Sequence, residues 1–350
     1  LLTSQAERNF GAARDAIVDS INANARGRTA DTRTPSTKPG RWLKAVRDFG
    51  AAHIKAATWA RVFDGGQDGG PVWEYLIRPA NERGDMETTM RAEATQALHA
   101  ILDPLLKAGP MGGKGRFFES IGRSMNREQV LAMALNMGNE GNMQRMLDGE
   151  GWTLQRIQPV LATLNSSDWR AVQAIWDHFE SYRDQIGAKE RRVYGKEPDW
   201  VEPVPLQITA AGGVRVELRG GYYPVKYDPL ANNRAEQHSN AEDAKRQLQG
   251  AYTSATTRRG FTKARSAEVK GRPLLYSLAG VYSGVNDVIH DLAWHEWLID
   301  ANKLLSSDKI DNAIRSQYGP AAVQQFKAWV RDVAAGEQGA QNAVDTALSR

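Results

Sequence analysis

Cysteine is absent from all 350 residues, which excludes disulfide frameworks, zinc-thiolate centres and thiol nucleophiles together. Stability must therefore come from packing. Apolar runs extend for only a handful of residues, short of the roughly 20 that a membrane-spanning helix needs, so no transmembrane segment is expected. Charged residues are scattered through residues 1–25 and leave no apolar centre for a signal peptide. The sequence also lacks GxSxG, GxxxxGK(S/T) and a strand-led GxGxxG, the patterns of serine nucleophiles, phosphate-cradling loops and dinucleotide folds. On these grounds the chain reads as non-enzymatic, with no cofactor called for. Nor does one sign of charge dominate: 45 Lys and Arg stand against 41 Asp and Glu, a net +4. Bulk charge does not mark a nucleic-acid binder, so local distribution has to decide.

What is present is enough for a substantial core. Hydrophobic residues make up 41% of the chain, and ten tryptophans run from Trp42 to Trp329, anchors that disordered chains lack. The chain begins Leu1-Leu2 without an initiator Met and ends Ser349-Arg350, which leads us to expect a piece of something longer.

Periodicity predicts a mainly α fold, a multi-helix, bundle-like array. Ser4 and Glu7 have the spacing of a capping box, and Phe10, Ala13, Ile17 and Ile21 follow at helical intervals, giving a helix over 4–24. Residues 26–40, rich in Thr, Pro, Gly and Arg, read as a linker. A helix follows to the turn Asp64-Gly65-Gly66, then a pair at 70–80 and 85–107, and a series at 115–123, 126–138, 140–148, 153–164 and 167–194. Around Ala211-Gly212-Gly213 the period changes to that of strands, with Val204-Leu206-Ile208 on one side and Val214-Val216-Leu218 on the other. This predicts a small antiparallel hairpin, extended to three strands by Tyr222–Tyr227, as an insert near 204–228. A short helix is expected from Ser239 to Gln249, and helices resume over 274–305, 308–317, 320–335 and 337–348. The expected organisation is an N-terminal helix and linker (1–38), a helical subdomain (39–130), a core helical region with the β insert (131–305) and C-terminal helices (306–350).

Four stretches resemble a region of very large tailed-bacteriophage proteins, the polyvalent or internal virion (DNA-ejection) proteins. They are Leu131–Thr153, with Asn136, Gly138, Asn139, Gly141 and Asn142 at its centre; Asp168–Pro205, containing DWRAVQAIWDHFESY and AKERRVYGKEP; Arg219–Asp228, RGGYYPVKYD; and Gly271–Leu305, including NDVIHDLAWHEWLIDANKLL. The order matches, and residues 1–130 lie outside the resemblance. It implies a structural or interaction domain that is packaged in the capsid interior or tail lumen and delivered with the genome to the host envelope or cytoplasm. Its implied partners are other virion or ejection proteins or copies of itself, with phage DNA as a further partner. Some relatives carry polymerase, antirestriction or peptidoglycan-cleaving domains elsewhere on the same chain, so a supporting role for such an enzyme is the alternative. A non-specific nucleic-acid-binding module is a third.

Three groups of residues have competing readings. The turn Asn136–Asn142 could hold an anion on its backbone N–H groups or a cation on its carbonyls and Glu140. Asn and Gly are also what a helix–helix connection requires, and we read Asn136, Asn139 and Asn142 as a structural polar network. Asp287, His290 and Asp291 are read the same way. His290 and His295 are five residues apart, so they diverge by roughly 140° around a helix, unlike the i, i+4 histidines of HExxH. Arg258, Arg259, Lys263 and Arg265 lie in the densest basic run, where phosphate contact is one reading and a solvated connector the other. Tyr222, Tyr223 and Tyr227 could stack bases, but strand alternation turns Tyr223 and Tyr227 to one face with Val225 and favours packing. Trp294 and Trp297 read as a core seam. Glu119-Ser120 has the residue order of a lytic transglycosylase acid, without that family's downstream motifs.

Overall fold

The computed structural model describes residues 2–26, 56–66, 69–225 and 273–335. The fold is mainly α, with two small antiparallel two-stranded sheets. The linker at 26–40, the helices expected at 239–249 and 337–348, and the basic run with Arg258, Arg259, Lys263 and Arg265 lie wholly or almost wholly outside the described residues. Two compact units emerge, one drawn from within 1–87 and 293–350, the other from within 88–251 and 258–292.

In the first unit, α1 (Leu2–Arg26) presents Ile17 and Ile21 to a core shared with Phe63, Leu298, Phe326 and Val330. The short α2 (Ala56–Phe63) ends at the predicted turn, where Gly65 and Gly66 take φ of 76° and 88°. Asp64, buried just past this helix, accepts hydrogen bonds from the backbone N–H groups of Val72 and Trp73 at 3.1 and 2.9 Å and from the Ser20 hydroxyl at 2.9 Å. A carboxylate there satisfies otherwise orphaned N–H groups and favours the positive end of the helix it starts. That helix opens with a π-helical turn, Trp73–Ile77, and continues as α3 (Arg78–Lys107). The two helices expected at 70–80 and 85–107 are thus continuous. Trp294 and Trp297 are buried and edge-to-face at 5.4 Å; their indoles donate to Glu87 Oε2 at 2.7 Å and to the Leu76 carbonyl at 3.1 Å. Both belong to α9 (Ala279–Leu305), which α10 (Asp308–Tyr318) and α11 (Pro320–Ala335) follow.

In the second unit, strands stand where a helix is expected. Residues 115–123 are not helical: Arg116–Phe118 (β1) and Arg123–Met125 (β2) pair antiparallel. Phe118, Ile121 and Met125 are all buried, and their spacing of three and four imitates a helix stripe. Gly115 settles the local geometry, because a side chain there would come within 2.6 Å of the Met125 backbone.

Asn126 then starts α4 (Arg127–Leu135) with a reciprocal capping box to Gln129, both bonds at 2.9 Å. Val130 to Leu135 are all buried, so this helix is enclosed on every side. Next come α5 (Glu140–Glu150), α6 (Leu154–Leu161), α7 (Ser166–Glu180) and α8 (Arg183–Tyr194). Trp169, Val172, Trp176 and Phe179 form the buried stripe of α7, and Asn165 with Asp168 caps its start. The single helix expected over 167–194 is interrupted at Ser181-Tyr182. There the Ser181 hydroxyl donates to the His178 carbonyl at 2.6 Å, competing with the helix ladder.

The predicted hairpin is present as β3 (Leu206–Thr209) and β4 (Arg215–Leu218), in register Leu206↔Leu218 through Thr209↔Arg215, closed over Gly212 and Gly213 at φ of 82° and 78°. In its described part, 222–225, the expected third strand joins neither β3 nor β4.

Candidate functional site

The Asn-rich turn between α4 and α5 organises the second unit. Asn136 ends α4 and its amide donates to the Ala132 carbonyl at 2.8 Å. Asn139 caps α5, accepting from Asn142 N–H at 2.9 Å, while its own amide donates to the Gly221 carbonyl at 3.2 Å. One helical turn later the Asn142 amide donates to the Tyr223 carbonyl at 2.7 Å. All three asparagines are buried; the Asn139 and Asn142 amides satisfy carbonyls of an irregular segment, and that of Asn136 a carbonyl in the last turn of α4. This explains the missing third strand: side chains, not a neighbouring strand, take the carbonyls of Gly221 and Tyr223.

Glycine makes the approach possible. A Cβ on Gly138 would lie 2.5 Å from both the Gly221 carbonyl oxygen and the Trp176 ring. The Gly138 carbonyl accepts from Val204 N–H at 2.9 Å and from Gly221 N–H at 2.8 Å. Trp176 completes the layer, its indole donating to the Leu135 carbonyl at 3.0 Å. Tyr222 and Tyr223 both pack edge-to-face on Phe179. Burial, reinforced by the Glu128 charge, pushes the Tyr223 phenol up, and the neutral hydroxyl donates to the Ser277 carbonyl at 3.4 Å. Tyr223 and Val225 are buried, whereas Tyr227 lies outside the described residues.

Asp291, on α9, is fully buried and paired with Lys189 of α8, whose ammonium also meets Glu190 at 3.2 Å. The cation that two buried carboxylates demand is thus supplied by the chain itself. His290 is buried and Asp287 half-buried, and both are engaged with neighbours. Among the described residues, Asn136, Asn139 and Asn142 bond to Ala132, Gly221 and Tyr223 and not to Asp287, His290 or Asp291. Glu119 is exposed in the β1–β2 turn rather than on a helix.

Sequence reasoning missed Lys189, Glu190, Arg127 and Glu128. Arg127 donates to Asp168 at 2.5 Å and to the Leu105 and Gly109 carbonyls at 2.9 and 3.1 Å, closing the end of α3. Glu128 accepts from the Ser277 hydroxyl and Leu278 N–H, both at 2.9 Å. Lys189 had one visible signal: with Tyr182 and Ile186 it occupies the inward stripe of its helix, where a lysine requires a partner.

These contacts join the four stretches singled out in the sequence. Leu131–Thr153 meets Asp168–Pro205 through Trp176 and Val204, and meets Arg219–Asp228 through Asn139 and Asn142. Asp168–Pro205 reaches Gly271–Leu305 through Lys189 and Asp291. Tyr223 to Ser277 joins the third stretch to the fourth, and Gly284 makes room for Pro224. No protein-family model, curated protein or solved structure matches the chain.

Proposed function

We propose that this chain is a structural and interaction domain of a phage internal virion protein, packaged beside the genome and delivered with it into the host. One observation supports the reading: the four stretches that resemble such proteins are bonded to one another through buried polar groups. Scattered similarity of composition would have no reason to fall on mutually bonded segments. A shared scaffold would, because buried polar networks fix one arrangement of the chain. The asparagine, tryptophan and tyrosine donors of this network bond to main-chain carbonyls, and Lys189 pairs with both Asp291 and Glu190, which is what a scaffold requires.

The test is peptide mass spectrometry of purified particles of the encoding phage, before and after genome release. Peptides from 131–305 are expected in filled particles and depleted from emptied shells. Their presence in infected-cell lysate but not in filled particles would overturn the proposal.

A further inference from the structure

Among the described residues, no strand pairs with the outer edge of β3. Alternate residues of an antiparallel strand direct their N–H and C=O groups to opposite sides. Ala210 N–H donates to the Val214 carbonyl at 2.8 Å, so Ala210, Ile208 and Leu206 bond inward to β4. Gln207 and Thr209 therefore direct their main-chain groups outward. Two neighbours confirm this alternation. On β3's side, Ala211 N–H donates outward to the Leu164 carbonyl at 2.8 Å. On β4's side, Arg219 N–H donates outward to Gln173 Oε1 at 2.8 Å. The β4 edge thus leads to α7, while the β3 edge faces a groove whose far wall is α6.

That groove encloses about 490 Å³, within the range of ligand sites. Leu154, Ile157 and Leu161 of α6 line it opposite Gln207 and Thr209, with buried Met137 between the walls. Leu154 is 47% exposed, a large apolar side chain held at the surface. Among the described residues that line the groove, none is charged.

We infer that the β3 edge is a docking site for an extended, uncharged peptide segment of a partner protein, added as a third strand. Two outward N–H donors and two outward C=O acceptors, repeating every two residues, or about 6.8 Å, match the backbone of a single extended chain. Leu154, Ile157 and Leu161 on the α6 wall receive alternate side chains, and Gln155 and Gln158 beside them offer polar contacts but no countercharge, so a charged segment would lose its hydration without gaining a partner. The inference stands on this geometry alone, whether or not the chain travels in a virion.

The full chain is titrated with dye-labelled, end-capped heptapeptides alternating Val, Ile or Leu with Thr, Ser or Gln, and with matched peptides carrying Lys or Glu. Uncharged peptides are expected to bind and charged ones not. Thr209→Pro removes an outward N–H, which edge strands tolerate, and should weaken binding on the order of tenfold or more with the circular dichroism unchanged. Leu154→Lys changes only the groove wall and should do the same should the proline variant misfold. N-methylation of the peptide at alternate backbone positions should abolish binding in one register and spare the other. The proposal is overturned by absence of binding at about 1 mM peptide, by binding that survives both substitutions, or by N-methylation that acts equally in both registers.

Discussion

Lys189 and Asp291, 102 residues apart in sequence, form an ion pair whose side chains are 1% and 0% exposed. Removing one partner of such a pair strands the other charge in a medium that cannot solvate it. Lys189→Met should therefore lower the stability of the second unit by about 3–5 kcal/mol, read as a shift in the urea midpoint. Combining it with Asp291→Asn should recover at least about 1 kcal/mol. A single variant with an unchanged midpoint would show that the pair is not buried as described.

Two glycines of one turn should behave oppositely. Gly138→Ala forces a methyl into the Gly221 carbonyl and the Trp176 ring, and we expect a loss of about 1–3 kcal/mol or more. Gly141→Ala, three residues away, meets nothing nearer than 3.6 Å and lies in α5. It should be neutral or stabilising by about 0.5–1 kcal/mol, since alanine favours helix. Thermal unfolding of both variants checks the contrast.

Asn142→Ala leaves the Tyr223 carbonyl without its 2.7 Å donor. The cost should be about 1–3 kcal/mol. It should appear locally as faster amide exchange through 220–225. Loss of α5 helicity instead would place the role of Asn142 within its own helix.

Asp311 supplies a pH test within the first unit. Partial burial opposes its charge, but hydrogen bonds from Arg315 and Lys327, the latter at 3.1 Å, outweigh that and hold its carboxyl below the usual range. A depressed folded-state pKa contributes stability above the unfolded carboxylate pKa, which disappears as pH falls through the folded value. Asp311→Asn should thus cost about 1 kcal/mol at neutral pH. The difference from the parent should vanish in strong acid, as calorimetry at two pH values would show.

Legibility in the sequence followed the range of the interactions. Local signals were readable: the helical stripes, the glycine turn of the hairpin, and asparagine at helix starts. Where two local readings fit the same spacing, as with Phe118, Ile121 and Met125, the packing of Gly115 on Met125 decided for strands. The 221–225 segment alternates like a strand but joins no sheet among the described residues, because side chains from 81 and 82 residues earlier take the carbonyls of Tyr223 and Gly221. No local window contains that information. Nor does any local window connect Lys189 with Asp291, 102 residues away. The asparagines were legible as structural residues, but their targets were not.

The asparagine turn also bears on how the chain comes into being. During synthesis Asn139 and Asn142 leave the ribosome about 80 residues before the carbonyls they bind, and Lys189 precedes Asp291 by 102. At roughly 5–20 residues per second, these groups wait in water for seconds before they can be enclosed. Contacts such as Arg127 with Asp168 and Trp176 with the Leu135 carbonyl can form early, while the ion pair of Lys189 waits for Asp291 and closes last.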